Sequence, residues 1–168
     1  MIVTRPGQLD DLPALTRIYN HYVENTHITF DLNAFTVDER REWFDHYAPT
    51  GRHRLLVAQS EDASGSEVLG YATSSRFRDK PAYAPSVEAT VYCAPEALGL
   101  GVGSALYAAL FAELAGEDVH RAFAGVALPN DASLALHRRF GFEEIGTFRE
   151  VGRKFDTWWD VTWLERPI

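Results

Sequence analysis

The stretch from residue 87 to residue 111 reads VEATVYCAPEALGLGVGSALYAALF. Its first part alternates apolar and polar side chains, which is the period of a β-strand with two different faces. A turn containing Gly99, Gly101 and Gly103 follows and opens directly into an apolar helix. Glycine lets the backbone curl so that several N–H groups face one point, and the N-terminus of a helix adds a positive dipole end. The stretch therefore predicts a strand, a cradle for a diphosphate or another anion, and a helix.

The strand carries one acidic residue, Glu88, on a polar face shared with Thr90 and Tyr92. The opposite face is apolar and indicates core: Val87, Ala89 and Val91. An exposed strand carboxylate is the ordinary interpretation, because Glu is rarely buried. The neighbouring glycine turn favours a second one, a general base whose pKa is raised by desolvation and so suits proton transfer near neutral pH.

The residue pattern of this turn does not match two other glycine motifs. A Walker loop needs Lys and then Ser or Thr after its last glycine, whereas Gly103 is followed by Ser104 and Ala105. A Rossmann fingerprint would need a glycine at Ser104 and a parallel strand unit around it. A plain strand-to-helix turn remains an alternative for a lone glycine pair.

The length of 168 residues predicts one domain, residues 1–168. The formal net charge of -8 argues against a nucleic-acid partner. Cys93 is the single cysteine, which excludes an internal disulfide and suits a reducing cytoplasm. The apolar runs fall short of the ~20 residues of a spanning helix, so we expect no membrane partner and a cytoplasmic location. The six histidines lack ligand spacing, so we expect no metal.

The periodicity along the chain predicts seven strands and four helices. The strands are expected at residues 2–5, 53–60, 68–77, 86–94 and 121–128 and on both sides of a turn near Asp156. The first helix is expected from Asp10 or Asp11 to residue 24, and the second from the capping box of Thr36 and Glu39 to near Pro49. The last two helices are expected at residues 103–116 and 132–140. The strands at 53–60 and 68–77 are expected to join at Gly65. This order predicts an α+β fold with a mostly antiparallel sheet of six or seven strands and helices on both faces.

Leu98 to Gly103 resembles the acetyl-CoA pyrophosphate loop of the GNAT N-acetyltransferases, whose pattern is Gln/Arg-x-x-Gly-x-Gly/Ala. Gly101 and Gly103 match that pattern. Leu98 and Gly99 depart from it, because the family usually has Gln or Arg and then a basic residue there. The main-chain cradle is retained, whereas the side-chain contacts to phosphate are lost.

A second element of the same family lies between residues 130 and 142. The segment resembles the family's Asn…Tyr…Gly-Phe helix, with Asn130 at the Asn position and His137 where the family has a Tyr that reprotonates the CoA thiolate. Histidine can exchange a proton near pH 7. A packed helix residue beside Phe140 is the competing interpretation of His137, because histidine is intermediate in its preference for burial.

Five further segments resemble the phosphinothricin and methionine sulfone/sulfoximine acetyltransferases and cover nearly the whole chain in order. They lie at residues 18–30, 77–83, 87–92, 128–131 and 152–161. This resemblance implies transfer of an acetyl group from acetyl-CoA to the α-amine of a small anionic amino acid. It also implies a homodimer and the GNAT fold.

The resemblance implies three sets of site residues. The catalytic set is Glu88 as base, with His137 and Tyr92 as proton donors to the thiolate. The CoA-binding set is Val91, Cys93, Leu98, Gly99, Gly101, Val102, Gly103, Ser104, Asn130 and Ser133. The substrate-binding set is Phe30, Arg78, Lys80, Tyr83 and Thr90, in which Arg can bind an oxyanion as a fork and Lys as a point charge. An oxyanion-stabilising N–H is expected at a bulge in the strand near Tyr92 or Cys93.

Two alternatives stay open. The first is a GNAT enzyme with another acceptor, either a peptide N-terminus or an aminoglycoside; the aromatic and basic segment from Phe77 to Tyr83 favours a closed small pocket instead. The second is a CoA-binding sensor without catalysis, which the departures at Leu98 and Gly99 favour. Assays of CoA release with amino-acid and peptide acceptors distinguish the three.

Overall fold

The computed structural model describes residues 1–62 and 65–168. Within these residues seven strands form one sheet: β1 Ile2–Pro6, β2 Leu55–Asp62, β3 Gly65–Arg76, β4 Ser86–Cys93, β5 Arg121–Ala127, β6 Glu143–Lys154 and β7 Thr157–Pro167. The strands are arranged in the order β1-β2-β3-β4-β5-β7-β6. Neighbouring strands are antiparallel except β4 and β5, so the predicted fold class is confirmed. Gly65, where the connection between β2 and β3 is predicted, is instead the first residue of β3 and pairs with Asp62; residues 63–64 lie outside the described residues.

Four α-helices cover this sheet in the described part of the chain: α1 Leu12–Asn25, α2 Arg41–Phe44, α3 Val102–Leu114 and α4 Asp131–Arg139. The Tyr92 ring of β4 packs against Tyr19 and Tyr22 of α1. The neighbouring Cys93 lies beside Gly103 of α3. Because successive side chains of a strand point to opposite faces, α1 and α3 cover opposite faces of the sheet, as predicted.

The second helix is much shorter than predicted. The capping box forms, with the Thr36 N–H donating to Glu39 over 2.7 Å and the Glu39 N–H donating to the Thr36 hydroxyl over 3.2 Å. The α-helix, however, covers only Arg41–Phe44 and not the span to Pro49. Beyond it the backbone closes i→i+3 turns, such as that of Tyr47 N–H to Phe44 O at 3.1 Å. Side-chain packing on the sheet therefore outweighs local helix propensity here.

The sheet opens between β4 and β5. The two strands pair over three residue pairs, Ser86 with Arg121, Val87 with Ala122 and Glu88 with Phe123. The rest of β4 runs on beside a cavity of about 280 Å³ that the ends of both strands line. Separated parallel strands leave main-chain groups unpaired at such an opening, which makes it a natural place for a ligand.

No helix among residues 1–62 and 65–168 combines the length and the apolar character needed to span a membrane.

Candidate active site

The glycine turn leads into α3 with two left-handed residues. Gly99 has φ +79° and Gly101, the N-cap of α3, has φ +85°. The side chain of an L-residue is strained in this region, which is the physical reason for glycine at both positions. The first N–H groups of a helix have no partner within the helix. The turn and the first turn of α3 therefore present main-chain donors at a positive dipole end, as the sequence predicts.

This first turn of α3 borders the cavity at the opening of the sheet. We call it the donor cavity, after the acyl donor that the resemblance implies. A Cβ on Gly103 would lie 3.1 Å from Leu136, 3.8 Å from Cys93 and 4.0 Å from Val91, and these three residues line the cavity. Of the other predicted CoA-binding residues, Leu98, Asn130 and Ser133 also line the donor cavity. Gly99, Gly101, Val102 and Ser104 lie in the turn and first turn beside it. The structure thus brings this whole set together.

The backbone of β4 presents N–H groups to the donor cavity. The Ala94 N–H donates to the Leu69 carbonyl over 2.8 Å, on the β3 side of the strand. Because backbone groups alternate sides along a strand, the N–H groups of Val91 and Cys93 point away from β3, towards the opening. These donors are suitably placed to bind the oxygen of an acyl group in the cavity.

The bulge expected in β4 is not there. The register between β3 and β4 is one-to-one from Gly70–Cys93 to Arg76–Val87, and the irregularity on this side of the sheet falls between β2 and β3, where Leu69 of β3 is the extra residue between the pairs Ala58–Gly70 and Gln59–Val68. The divergence of β5 already leaves the β4 amides without strand partners, so no extra residue is needed to expose them.

A second cavity of about 400 Å³, hereafter the acceptor cavity, contains Glu88 together with Phe30 and Arg78. It shares Tyr92, Gly125 and Ala127 with the donor cavity, so the two meet along β4 and β5. Walls from the last hairpin complete it: Phe148, Val151, Val161 and Trp163. The sequence analysis does not predict these walls, although the apolar side chains along β6 were a signal that could have identified Phe148 and Val151.

The Glu88 carboxyl is partly buried in the acceptor cavity. Burial raises its pKa above the usual value for Glu, and the positive charge of Arg78 opposes this rise. A carboxylate with a raised pKa is a better proton acceptor near neutral pH than an exposed one. Glu88 therefore has the electrostatic environment of a general base rather than of a solvated strand residue.

Phe30 reaches the acceptor cavity because β6 has a glycine beneath it. A Cβ on Gly152 would lie 2.2 Å from Cε2 of the Phe30 ring, far inside van der Waals contact. The Phe30 ring therefore packs directly on the backbone of β6 at Gly152, which lies more than a hundred residues later in the chain. Glycine at this position permits a close approach that any other residue would block.

Three other predicted substrate residues have different surroundings. Lys80 is exposed, and Tyr83 is 44% exposed with its ring 6.1 Å from that of Phe77. Neither residue lines the acceptor cavity. The Thr90 hydroxyl shares a hydrogen bond of 2.7 Å with Thr73 and lines the donor cavity. The structure thus brings Phe30 and Arg78 to Glu88 and leaves Lys80 and Tyr83 at the surface.

His137 is buried beside the donor cavity with both ring nitrogens engaged. Nδ1 lies 2.7 Å from the Ser133 carbonyl oxygen, and Nε2 lies 2.9 Å from the Tyr107 hydroxyl. A carbonyl only accepts, so Nδ1 carries the proton and Nε2 of the neutral ring accepts from Tyr107. Burial lowers the pKa of His137, which the hydrogen bond to Ser133 opposes.

The Tyr92 hydroxyl lies near a chain of hydroxyl groups. Burial raises its pKa to about 12, and the Thr29 side chain opposes this rise. The Thr29 hydroxyl lies 2.7 Å from that of Tyr19, which donates to the exposed Asp31 carboxylate. Because Thr29 also lines the acceptor cavity, this chain leads from that cavity to the protein surface. On the opposite face, burial raises the pKa of the Cys93 thiol to about 11, so this cysteine is not thiolate near neutral pH.

Among residues 1–62 and 65–168, no group of three or more His, Cys, Asp and Glu side chains is arranged to hold a metal ion. The absence of a metal from the reaction stays a prediction.

Fold and site together define an acyltransferase of one family. Residues 5–163 match the acetyltransferase (GNAT) domain, and the chain belongs to this family. It is an N-acetyltransferase by family and by the names of its relatives, and the family's enzymes use acetyl-CoA.

Two curated relatives narrow the resemblance. The chain is 59% identical over 167 residues to phosphinothricin N-acetyltransferase of Streptomyces coelicolor, covering 99% of this chain and 96% of that one. It is 37% identical over 161 residues to the L-methionine sulfoximine/L-methionine sulfone acetyltransferase of Pseudomonas aeruginosa, covering 96% and 91%. Among solved structures it is similar to a phosphinothricin acetyltransferase from Sinorhizobium meliloti in complex with AcCoA, with a TM-score of 0.91, 32% identity and coverage of 99% and 88%.

Proposed function

We propose that this enzyme moves the acetyl group of acetyl-CoA to the α-amine of a small amino acid that carries a phosphinate, sulfone or sulfoximine head. The observation that carries the proposal is the position of Glu88, a carboxyl with a raised pKa where a cavity bordered by main-chain donors meets a cavity containing Arg78. The names of the two curated relatives support this acceptor class.

The residues present fit acetyl-CoA. Its diphosphate needs N–H donors, which the turn at Gly99 and Gly101 and the first turn of α3 supply even though Leu98 offers no charge. We propose that Val91 and Cys93 bind the coenzyme through main-chain groups, and that Asn130 and Ser133 line its path. When bound, acetyl-CoA supplies the activated acetyl group.

Glu88 begins the reaction by taking one proton from the substrate ammonium group. The free nitrogen then attacks the thioester carbon, and the N–H groups of Val91 and Cys93 stabilise the negative charge that develops on the carbonyl oxygen. As the carbon–sulfur bond breaks, the sulfur takes a proton from the Tyr92 hydroxyl. A phenolate whose pKa is about 12 does not persist, so Tyr92 regains a proton in the same step from the reacting nitrogen.

We assign the proton return to Tyr92 and a positioning role to His137. Tyr92 lines both cavities, and Thr29, whose hydroxyl bonds that of Tyr19, lines the acceptor cavity beside it. His137 holds α4 against α3 through its bond to Tyr107. Tyr92→Phe should lower kcat with little change in KM, whereas His137→Asn should change mainly the KM for acetyl-CoA.

The acceptor would be held by Arg78, with Phe30 as a wall of its cavity and with Lys80 and Tyr83 at the rim. Arginine binds a carboxylate through two parallel hydrogen bonds, which fixes the amine relative to Glu88. A peptide would need an open groove, whereas this cavity is bounded by the last hairpin.

A panel of acceptors tests the proposal. The release of free CoA is measured with L-phosphinothricin, L-methionine sulfone, a peptide with a free N-terminus and an aminoglycoside. We expect kcat/KM to be highest for the two amino acids by at least about tenfold. A preference for the peptide would assign a different acceptor, and CoA binding without release with any acceptor would indicate a sensor.

We also propose a homodimer formed through the β6–β7 hairpin. This edge of the sheet carries five large apolar side chains that are each more than half exposed: Ile145, Phe148, Val151, Phe155 and Trp158. Apolar patches of this kind mark interaction surfaces. Light scattering on Ile145→Lys/Trp158→Lys should give the mass of a monomer, and a monomeric parent would contradict the proposal.

Finally, we propose that residues 1–168 act as one catalytic domain in the cytoplasm. A single continuous sheet supports the first part, and the presence of one cysteine in the whole sequence supports the second.

A further inference from the structure

A third cavity, of about 310 Å³, lies on the α1 face of the sheet beside the two cavities of the active site. It shares Thr90 with the donor cavity and Tyr92 with both. Residues of α1, α2, β3 and β4 line it, and Arg40, at the start of α2, is one of them. We refer to it as the Arg40 cavity. The function described above makes no use of it.

Arg40 is a buried cation with unused hydrogen-bonding capacity. The residue is 6% exposed. Its guanidinium lies 3.7 Å from the centroid of the Trp43 ring and 4.5 Å from that of Tyr19. One terminal nitrogen donates to the Tyr71 hydroxyl over a long 3.4 Å. Within residues 1–62 and 65–168, its Nε is the one buried side-chain nitrogen or oxygen without a hydrogen-bond partner.

A second buried arginine shows what a satisfied one looks like in the same protein. Arg54, 8% exposed, forms ion pairs with both Glu113 and Glu117. In the described parts of the chain no such carboxylate pairs with Arg40, although it is buried at least as deeply. A buried charge without a counter-charge is costly, and stacking on aromatic rings offsets only part of that cost. Arg40 therefore retains hydrogen-bonding capacity for an anionic or oxygen-bearing group.

The inner surface of the cavity suits oxygen atoms. Hydroxyl groups surround Arg40 there: Tyr47, Tyr71, Thr73, Ser75 and Thr90. Two exposed carboxylates, Asp31 and Glu39, also line the cavity, and they already accept hydrogen bonds from Tyr19 and Thr36. A free anion that entered from solvent would meet these negative charges first. A group carried in by the acceptor, from the side of Glu88, would not.

Arg40 and Arg78 lie towards opposite ends of β4, with Glu88 between them. Arg78 follows β3 just beyond the Arg76–Val87 pair, near the start of β4. Tyr71, which binds Arg40, pairs with Tyr92 near the end of that strand. Ser75 lines the Arg40 cavity and pairs directly with Glu88 across the two strands, so the wall of this cavity adjoins the base.

We propose that the Arg40 cavity binds the oxygen-bearing phosphinate, sulfone or sulfoximine head of the acceptor amino acid, while Arg78 binds its α-carboxylate. The inference rests on the proposed function and assigns its head-group specificity to Arg40 and the hydroxyls around it. Arg40 is then a binding residue with no part in proton transfer.

The test compares two acceptors that differ only in the head. The ratio of kcat/KM for L-methionine sulfone to that for L-methionine is measured in the parent, in Arg40→Gln and in the control Arg41→Gln, whose side chain is exposed on the same turn. Loss of a charged hydrogen bond predicts a ratio about tenfold lower or more in Arg40→Gln. The KM for acetyl-CoA and the ratio in Arg41→Gln should stay at parent values. An unchanged ratio in a folded Arg40→Gln protein overturns the proposal.

Further measurements keep the outcome decisive. If Arg40→Gln does not fold, the same ratio is measured in Arg40→Lys, which retains the positive charge but not the forked pair of donors of the guanidinium. A lower sulfone ratio than in the parent supports the proposal, and an unchanged ratio overturns it. Thermal unfolding with inorganic phosphate is measured in the parent and in Arg40→Gln. If phosphate stabilises only the parent and the sulfone ratio is the same in both, the cavity is a site for a free anion, and this result also overturns the proposal. If the parent acetylates neither amino acid, the proposed function fails. Calorimetry with L-methionine sulfone then tests separately whether the Arg40 cavity binds the head group. Equal binding by the parent and Arg40→Gln overturns that assignment.

Discussion

The donor and acceptor sides of this active site are built in different ways. The donor side is formed largely by main-chain groups of nearby residues, from Val91 on β4 to Ser104 on α3. The acceptor side is formed by side chains that are far apart in sequence, such as Phe30, Glu88 and Trp163. A main-chain cradle tolerates the loss of basic side chains at Leu98 and Gly99, because its donors do not depend on residue type. A site made of side chains has no such tolerance, so substitutions there should change substrate preference directly.

Glu88 lies where the two sides meet, so its replacement should have the largest effect. Glu88→Gln should lower kcat about 10²-fold or more, because the amine then has no base, while acetyl-CoA still binds. Glu88 acts as a base only when deprotonated, so the activity of the parent should fall as the pH drops through the raised pKa of this carboxyl. This decrease of activity at low pH, the acid limb of the pH profile, should disappear in Glu88→Gln.

The control for this variant is Glu42→Gln, an exposed carboxylate on α2, which should keep parent activity and the acid limb. A parent-like kcat in Glu88→Gln at neutral pH would remove Glu88 from the mechanism.

Arg78 should affect the acceptor side alone. Arg78→Ala should raise the acceptor KM about 10- to 100-fold through loss of a charged hydrogen bond, with the KM for acetyl-CoA unchanged. It should also move the acid limb to higher pH, because the Arg78 charge opposes the rise in the pKa of Glu88. Lys80→Ala should have a smaller effect, since Lys80 is exposed.

Arg76→Ala, on a side chain that is 65% exposed, is the matched control for lost charge. Equal effects of Arg76→Ala and Arg78→Ala would indicate that only the general field of the loop matters.

Gly101 should affect the donor side alone. A left-handed residue other than glycine costs about 1–2 kcal/mol, so Gly101→Ala should raise the KM for acetyl-CoA roughly tenfold as the turn rearranges. The acceptor KM should stay constant. Gly116→Ala, just after α3, is the control. Unaltered binding of acetyl-CoA in calorimetry with Gly101→Ala would mean that this turn does not hold the coenzyme.

Gly152 should give the smallest effect, again on the acceptor side. The added Cβ would displace the Phe30 ring, and crowding of about 1 kcal/mol predicts an acceptor KM raised roughly fivefold. Gly146→Ala on the same strand has open space around its Cβ and should leave KM unchanged. Equal KM values for the two variants would show that Phe30 does not contact the acceptor.

Local patterns were sufficient for most of the fold but not for its long-range arrangement. Alternation and glycine spacing predicted β4, the glycine turn and α3 because these features depend on neighbouring residues. The shortened α2 and the insertion of β7 between β5 and β6 were not predictable in this way. Both depend on packing between segments that are distant in the chain.

The same limit applies to the site. The motifs group Glu88 and Arg78, which line one cavity, with Lys80 and Tyr83, which lie at the surface. Arg40 stands in a run of charged residues, 38–42, which is typical of a solvated helix face. The packing of Trp43 and of Tyr19 from α1 over its guanidinium makes it a buried cation.

Some twenty-five consecutive residues are enough to predict the chemistry proposed for this protein, because they contain a carboxyl on a strand, a glycine turn suited to an anion and a helix. Backbone periodicity and glycine conformation are local properties, so they can be read along the chain. Three features depend instead on how the chain folds: where β5 leaves β4, which side chains line the acceptor cavity, and which arginine is buried without a carboxylate partner. These outcomes follow from close packing and desolvation, which depend on residues brought together only when the chain has folded.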